Sequence, residues 1–268
     1  MIAGLTLASS DPLDHVLPHR LFEAGGYSVT NTLLMLLVAA VVMLLVFPMA
    51  ARGKGPVPTG LRNVVESIMQ FLRENVARPA LHESTDRFMP FLWTVFFLIL
   101  IANLLGALPI AALLTVVTGT PSHFGGTATG DISITLGLAV CAFFAVHVGG
   151  IVEQGAGHYF KGFVPHVPAL LYPLMLVLEI AAAFVKPFAL CIRLFANMIA
   201  GHIVLAILLG FAGLMAEGVS GTSVGVTVAS VLGATAISLL ELFVAFLQAF
   251  IFTFLTTLFI GMAVHPEH

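Results

Sequence analysis

Leu190-Cys191-Ile192-Arg193-Leu194-Phe195-Ala196-Asn197-Met198-Ile199-Ala200-Gly201-His202 sits inside an apolar run from Ala169 to Ala212 and carries a guanidinium. Arginine stays protonated in proteins and presents its donors in a rigid fork. At the centre of a bilayer such a charge costs at least ~2.5–3.5 kcal/mol, and packing alone does not require it. An arginine kept at that depth faces a protein interior or a wet cavity and meets an anionic partner. On an ideal helix Glu179, Lys186, Arg193 and Asn197 fall within roughly 40° of one another, a polar stripe about 27 Å long on an apolar rod. His202 projects from nearly the opposite face to Arg193 and needs a different neighbour. A second apolar segment, Thr222 to Val264, holds one acid, Glu241, and one amide, Gln248. Seven residues apart, these two share a helix face.

Length then constrains the fold. Each segment has about 44 residues, or ~66 Å of helix, against a hydrocarbon core of ~30 Å. Either each folds into two spans or each is one strongly tilted helix. No turn-rich break interrupts either middle, and Pro187 kinks a helix without reversing it. Gly210 to Gly225, with Glu217, is the credible connection. The segments 169–212 and 222–264 therefore predict a long, inclined helical hairpin.

Composition sets the class. The 268-residue chain is 59% hydrophobic and 9% charged, with a mean hydropathy of +1.09. Soluble domains carry about 25% charge, so this is an all-α, multi-span membrane protein. A net charge of −3 gives no reason to expect nucleic acid as a partner. Cys141 and Cys191 lie in separate apolar segments and read as buried small hydrophobes. Met1 to Ser10 lacks the basic n-region of a signal peptide and the arginines of a transit peptide, which favours a bacterial plasma membrane.

Along the chain, residues 1–27 read as an outer tail or short surface helix. His15 and His19 do not form a metal pair, because Pro18 spoils the helix that would align them. Residues 28–50 supply a first span. The basic turn Arg52-Gly53-Lys54 marks the cytoplasmic side and leaves the N-terminus outside. Residues 59–79 are amphipathic, with Leu61, Val65, Ile68 and Leu72 set against Arg62, Glu66 and Arg73. They form an interfacial helix closed by Pro79 or, alternatively, a soluble helix docked on a partner. Residues 88–117 and 132–152 supply the second and third spans, joined by an outer Gly/Thr/Pro loop from Thr118 to Gly130. His147 in the third span is either a structural hydrogen-bonder or a relay. This count places the C-terminus in the cytoplasm.

Arg193-Leu194-Phe195-Ala196-Asn197-Met198, followed by Leu247-Gln248-Ala249-Phe250, closely resembles subunit a of the F-type ATP synthase. Glu179, Lys186-Pro187 and Glu241 agree at fitting gaps, and Asn103-Leu104-Leu105-Gly106-Ala107-Leu108-Pro109 is a weaker third match. The resemblance spans from about Phe88 to the end. It implies a stator with two offset aqueous half-channels leading to a ring of subunit c, with Arg193 between them. It also implies peripheral-stalk subunit b and other synthase subunits as partners, and no cofactor or metal. Many family members carry the acid and the histidine the other way round; here His202 and Glu241 are the candidates for the outer half-channel. Asn197 and Gln248 orient channel water, hold Arg193 or glue helices. Glu179 and Lys186 either line the inner half-channel or form an ion pair within their helix.

Other classes fit less well. The ten histidines scatter, with no His-Glu-x-x-His for a metalloprotease and no Gly-x-Ser-x-Gly for a hydrolase. No P-loop is present, so ATP chemistry of that kind would belong to partner subunits. A stand-alone secondary transporter or ion channel is the alternative, and no inverted repeat supports it.

Overall fold

The computed structural model describes residues 20–24, 27–51, 59–108, 110, 119, 126–162, 171–216 and 221–264. The tail before residue 20, the basic turn 52–58, residues 111–117 of the expected second span, loop residues 163–168 and connecting residues 217–220 lie outside this description. The described residues are all-α apart from one short strand pair. Among the described residues, five stretches are long and apolar enough to cross a membrane.

The strand pair is a departure from the expected tail or surface helix. β1 (Arg20–Ala24) and β2 (Tyr27–Thr30) run antiparallel, with Arg20 opposite Thr30 and Ala24 opposite Tyr27. Between them the sequence reads Gly25-Gly26, a hairpin signal easily passed over in a polar segment. Thr30 then caps α1 (Asn31–Ala51): the Leu33 amide donates to the Thr30 hydroxyl at 3.3 Å, satisfying one of the helix's orphan donors.

α2 (Leu61–Phe71) continues through a widened π-type turn, Leu72–Ala77, into α3 (Arg78–Leu81). Pro79 therefore does not close this helix. The widened turn has already displaced the hydrogen-bond ladder, so a residue with no amide proton is tolerated there. The reversal comes at His82, whose φ of 48° is left-handed, and α4 (Thr85–Ala107) follows. Charges gather at this corner, with Arg73–Asp86 at 2.5 Å, Arg78–Glu74 at 2.6 Å and Arg87–Glu153 at 3.2 Å. Ion pairs this exposed contribute about 0–1 kcal/mol each; their value is in marking a water-facing corner.

α5 (Ile132–Gln154) and the short α6 (Ala156–Gly162) precede α7 (Tyr172–Ala216, 45 residues) and α8 (Gly221–Val264, 44 residues). Neither long helix is broken, and Pro187 is absorbed within α7. Of the two readings of segment length, one continuous helix each is what forms.

The residues group into two compact units. One comprises the chain up to Ala39, Ala102–Ile132 and Leu194–Leu247; the other comprises Ala40–Ile101, Ser133–Arg193 and Gln248 onward. In the first unit α7 and α8 meet at His202–Glu241 and at Leu208–Gly233. In the second they meet at Lys186–Phe259. Within the first unit the two contacts follow antiparallel order. Polarity is inverted relative to a water-soluble core: Leu44 and Leu232 are 69% and 66% exposed, whereas Asn103, Thr135 and Gln248 are buried. Apolar side chains outside and hydrogen-bonding groups inside suit a hydrocarbon solvent.

Candidate functional site

In the first unit, α4, the turn before α5, α7 and α8 each send one polar group to a common point. Glu241 of α8 is 6% exposed, and its Oε1 lies 2.7 Å from Nδ1 of His202 on α7. The approach is close but off the line of a hydrogen bond, since this buried oxygen has no aligned donor among the described residues. It becomes a full ion pair whenever the imidazole takes a proton. Room for the carboxylate comes from Gly201, where a Cβ would stand 3.0 Å from Oε1.

On its other edge, Nε2 of His202 meets the Thr127 hydroxyl. Thr127 introduces a single 3-10 turn, Ala128–Gly130, that is wholly buried although it belongs to a connection between spans. Asn103 holds that turn. Its Oδ1 accepts from the Thr129 hydroxyl at 2.6 Å, and its Nδ2 donates to the Ala245 carbonyl of α8 at 3.5 Å. One helical turn past Asn103, Gly106 leaves the notch that Thr127 fills; a Cβ there would be 2.4 Å from the threonine methyl. The amide on α4 thus fixes both the turn and the helix that presents Glu241.

The second unit has a different polar feature. A cavity of about 130 Å³ is lined by His147, Gln154, Tyr159, Glu179, Lys186 and Thr256 among apolar neighbours. His147 Nδ1 and the Tyr159 hydroxyl share a 2.5 Å hydrogen bond, and Phe143 packs on the imidazole with ring centroids 4.1 Å apart. Tyr159 comes from α6, which starts after Gly155 at a φ of 81°. It lies against Gly150, where a Cβ would stand 2.4 Å from the ring. Burial, and then the nearby Glu179 carboxylate, push this phenol above its ordinary range. The Gln154 amide donates to the Ala263 carbonyl at 2.6 Å, satisfying an orphan acceptor at the end of α8.

Two oxygens lining this cavity, Gln154 Oε1 and Thr256 Oγ1, are buried without a hydrogen-bond partner among the described residues. A space this size has room for several waters, and such oxygens are what bind them. Glu179 and Lys186 form no ion pair with each other. The Lys186 ammonium instead sits 5.3 Å from the Phe259 ring centroid, a cation–π distance. Seven residues is two turns of helix, about 10 Å of rise, which explains why a shared face does not become a bond.

Arg193 is exposed at the midpoint of α7, the twenty-second of 45 residues. It makes no ion pair among the described residues. Asn197 is exposed on the same helix, whereas Gln248 is 1% exposed inside the second unit. Of the residues singled out from sequence, the structure joins His202 to Glu241, and His147 to Glu179 and Lys186 around the cavity. Thr127, Thr129, Tyr159 and Gln154 went unremarked in the sequence. Their signals were slight: alternate hydroxyls in Thr127-Ala128-Thr129, and one of only three tyrosines. None of the described residues gathers three or more metal-ligating side chains.

Residues 32–261 match the family described as ATP synthase A chain. "ATP synthase subunit a" from Anaeromyxobacter sp. strain Fw109-5 is 41% identical over 244 residues, which is 89% of this chain and 55% of that protein. The protein of the same name from Chloroherpeton thalassium is 38% identical over 258 residues, 92% of this chain and 70% of its own length. That from Myxococcus xanthus is 41% identical over 241 residues, 89% and 73% respectively. The chain therefore spans little more than half of the Anaeromyxobacter protein and about seven-tenths of the other two.

Proposed function

Since the chain belongs to the ATP synthase A chain family, we propose that it is the proton-translocating stator subunit of an F-type ATP synthase in a bacterial plasma membrane. It works against a ring of subunit c and is joined by peripheral-stalk subunit b and the remaining subunits. The observation that carries this reading is Arg193: a permanent cation, exposed at the midpoint of a 45-residue apolar helix, without a carboxylate partner in the described chain. A charge in that position calls for an anion supplied from outside, and the mid-membrane carboxyl of a ring helix meets the need. Ionised and facing lipid, that carboxyl is prohibitively unstable; beside a guanidinium it is matched. Protonated and neutral, it is free to turn into lipid. Arginine has no acceptor and does not give up its proton, so it also blocks a direct leak.

His202 and Glu241 serve the outer half-channel. Imidazole exchanges protons near neutral pH, and the buried Glu241 carboxylate lies 2.7 Å from its Nδ1, within reach for passing one on. Asn103 holds the frame around them. The cavity with Glu179, Lys186 and His147 serves the inner half-channel; its oxygens left unpaired among the described residues and the missing Glu179–Lys186 bond favour this over a purely structural role. Asn197, exposed near Arg193 in sequence, and the buried Gln248 orient channel water or hold Arg193 in place. The N-terminus lies outside and the C-terminus in the cytoplasm, with the charged corner of α2–α4 on the inner side. The driving force is about 2.3 kcal/mol per charge for each 100 mV of potential, plus the pH gradient.

Arg193→Ala tests this. In sealed vesicles containing the assembled complex, ATP-driven proton pumping should vanish while all subunits remain assembled. Coupled pumping that survives the substitution would refute the role. The purified chain in liposomes without the ring should carry no protons; transport there would make it a free-standing transporter or channel.

A further inference from the structure

We propose that Thr127 is a positioning residue for His202, its hydroxyl keeping Nδ1 of the imidazole beside Glu241 through every protonation state. The inference rests on His202 carrying protons, as assigned above. Each ring nitrogen of His202 has one neighbour: Glu241 at Nδ1 and Thr127 at Nε2. The two sides ask for different chemistry. A carboxylate only accepts, so it suits a nitrogen that is protonated. A hydroxyl both donates and accepts. When Nε2 carries a proton, the Thr127 oxygen accepts; when it does not, the hydroxyl rotates and donates. The hydrogen bond reverses its direction as the Nε2 proton is gained or lost, but the contact persists, and the ring keeps its place while the proton count changes.

The surroundings indicate that Thr127 is held for this contact. A segment connecting two spans ordinarily lies at the surface, yet Thr127 is 4% exposed and Thr129 is fully buried. Two features bring the turn inward: the Asn103–Thr129 hydrogen bond at 2.6 Å and the side-chain-free notch at Gly106. Neither group is titratable. The acid nearest in sequence, Asp131, is itself engaged by the Thr32 hydroxyl at 2.9 Å. Among the described residues in contact here, the imidazole is thus the group whose charge changes opposite Glu241.

The test compares Thr127→Val, which keeps the shape and removes the hydroxyl, with Thr127→Ser, which keeps the hydroxyl. Passive proton conduction through the assembled membrane sector is measured in stripped vesicles. Losing the partner that orients a metal-bound histidine costs about 10- to 100-fold, and that scale is carried to the imidazole held by Thr127. The valine variant should fall by at least about tenfold, and the serine variant should stay close to wild type. Equal conduction in all three overturns the proposal, as does an equal loss in both variants, which would indicate packing alone. If the valine complex does not assemble, Thr127→Ala replaces it in the same comparison. His202→Ala is measured alongside. Normal conduction in that variant would refute the histidine's role itself; its failure beside a normal valine variant would refute only the role of Thr127.

Discussion

Gly106→Ala offers a sharp test of how the outer cluster is built. A Cβ at this position would stand 2.4, 2.5 and 2.7 Å from Cγ2, Oγ1 and Cβ of Thr127. All three distances are too short for contact, and they involve a whole side chain rather than a flexible tip, so the turn itself must retreat. Overpacking of this kind costs about 1–3 kcal/mol. Against it stands a helix-propensity gain of about 0.8–1 kcal/mol for alanine over glycine. Net stability therefore falls by at most about 2 kcal/mol, and the complex should still assemble. Proton transfer is hit harder, because the displaced turn takes Thr127 off His202. If even 1.4 kcal/mol of the strain appears in the barrier, the rate falls about tenfold. Gly210→Ala is the control, since a Cβ there meets nothing within 4 Å. ATP-driven pumping in vesicles, normalised to assembled complex, should drop about tenfold for the first substitution and stay at wild-type level for the second. Equal pumping in both would refute the claim that the notch positions the turn.

Gly201→Ala should be milder, since its Cβ would sit 3.0 Å from a carboxylate oxygen able to move a few tenths of an ångström; a loss as large as that of Gly106→Ala, measured by the same pumping assay, would contradict this. Exchanging the pair as His202→Glu with Glu241→His should restore part of the pumping that either single change removes, and a double variant no better than the singles would break their assignment as partners. Glu179→Gln should slow pumping without loss of assembled complex, while wild-type rates would remove this acid from the inner path. Tyr159→Phe removes the hydrogen bond to His147 and also an alkaline liability. Because burial raises the phenol's pKa, the folded state holds that proton more tightly than the unfolded chain, whose phenol titrates near 10. Stability is unaffected at neutral pH and is lost as pH rises through about 10 and above. The phenylalanine variant should lose less of its melting temperature between neutral pH and pH 10–11, and an equal loss would show that the phenol is not the group responsible.

Much of this protein was determined locally. Hydropathy over 44-residue runs set the membrane class and the two long helices, because a bilayer sorts side chains by polarity and a helix satisfies its own backbone. The 3.6-residue repeat then placed Glu179, Lys186, Arg193 and Asn197 on one side of α7, and turned His202 away. Spacing also warned that His202 needed a partner; Glu241, the one acid of the second run, became its candidate through the family resemblance.

Tertiary packing decided the rest. Nothing near Thr127 announces a histidine 75 residues further on, and Tyr159 reaches His147 only because α6 folds back after Gly155. Glu179 and Lys186 looked like a pair on one face, but two turns of rise keep them apart and Phe259 of another helix takes the ammonium. Periodicity fixes which way a side chain points from its own axis. What it meets there depends on which other elements arrive, and at Gly106, Gly150 and Gly201 that was settled by the absence of a side chain.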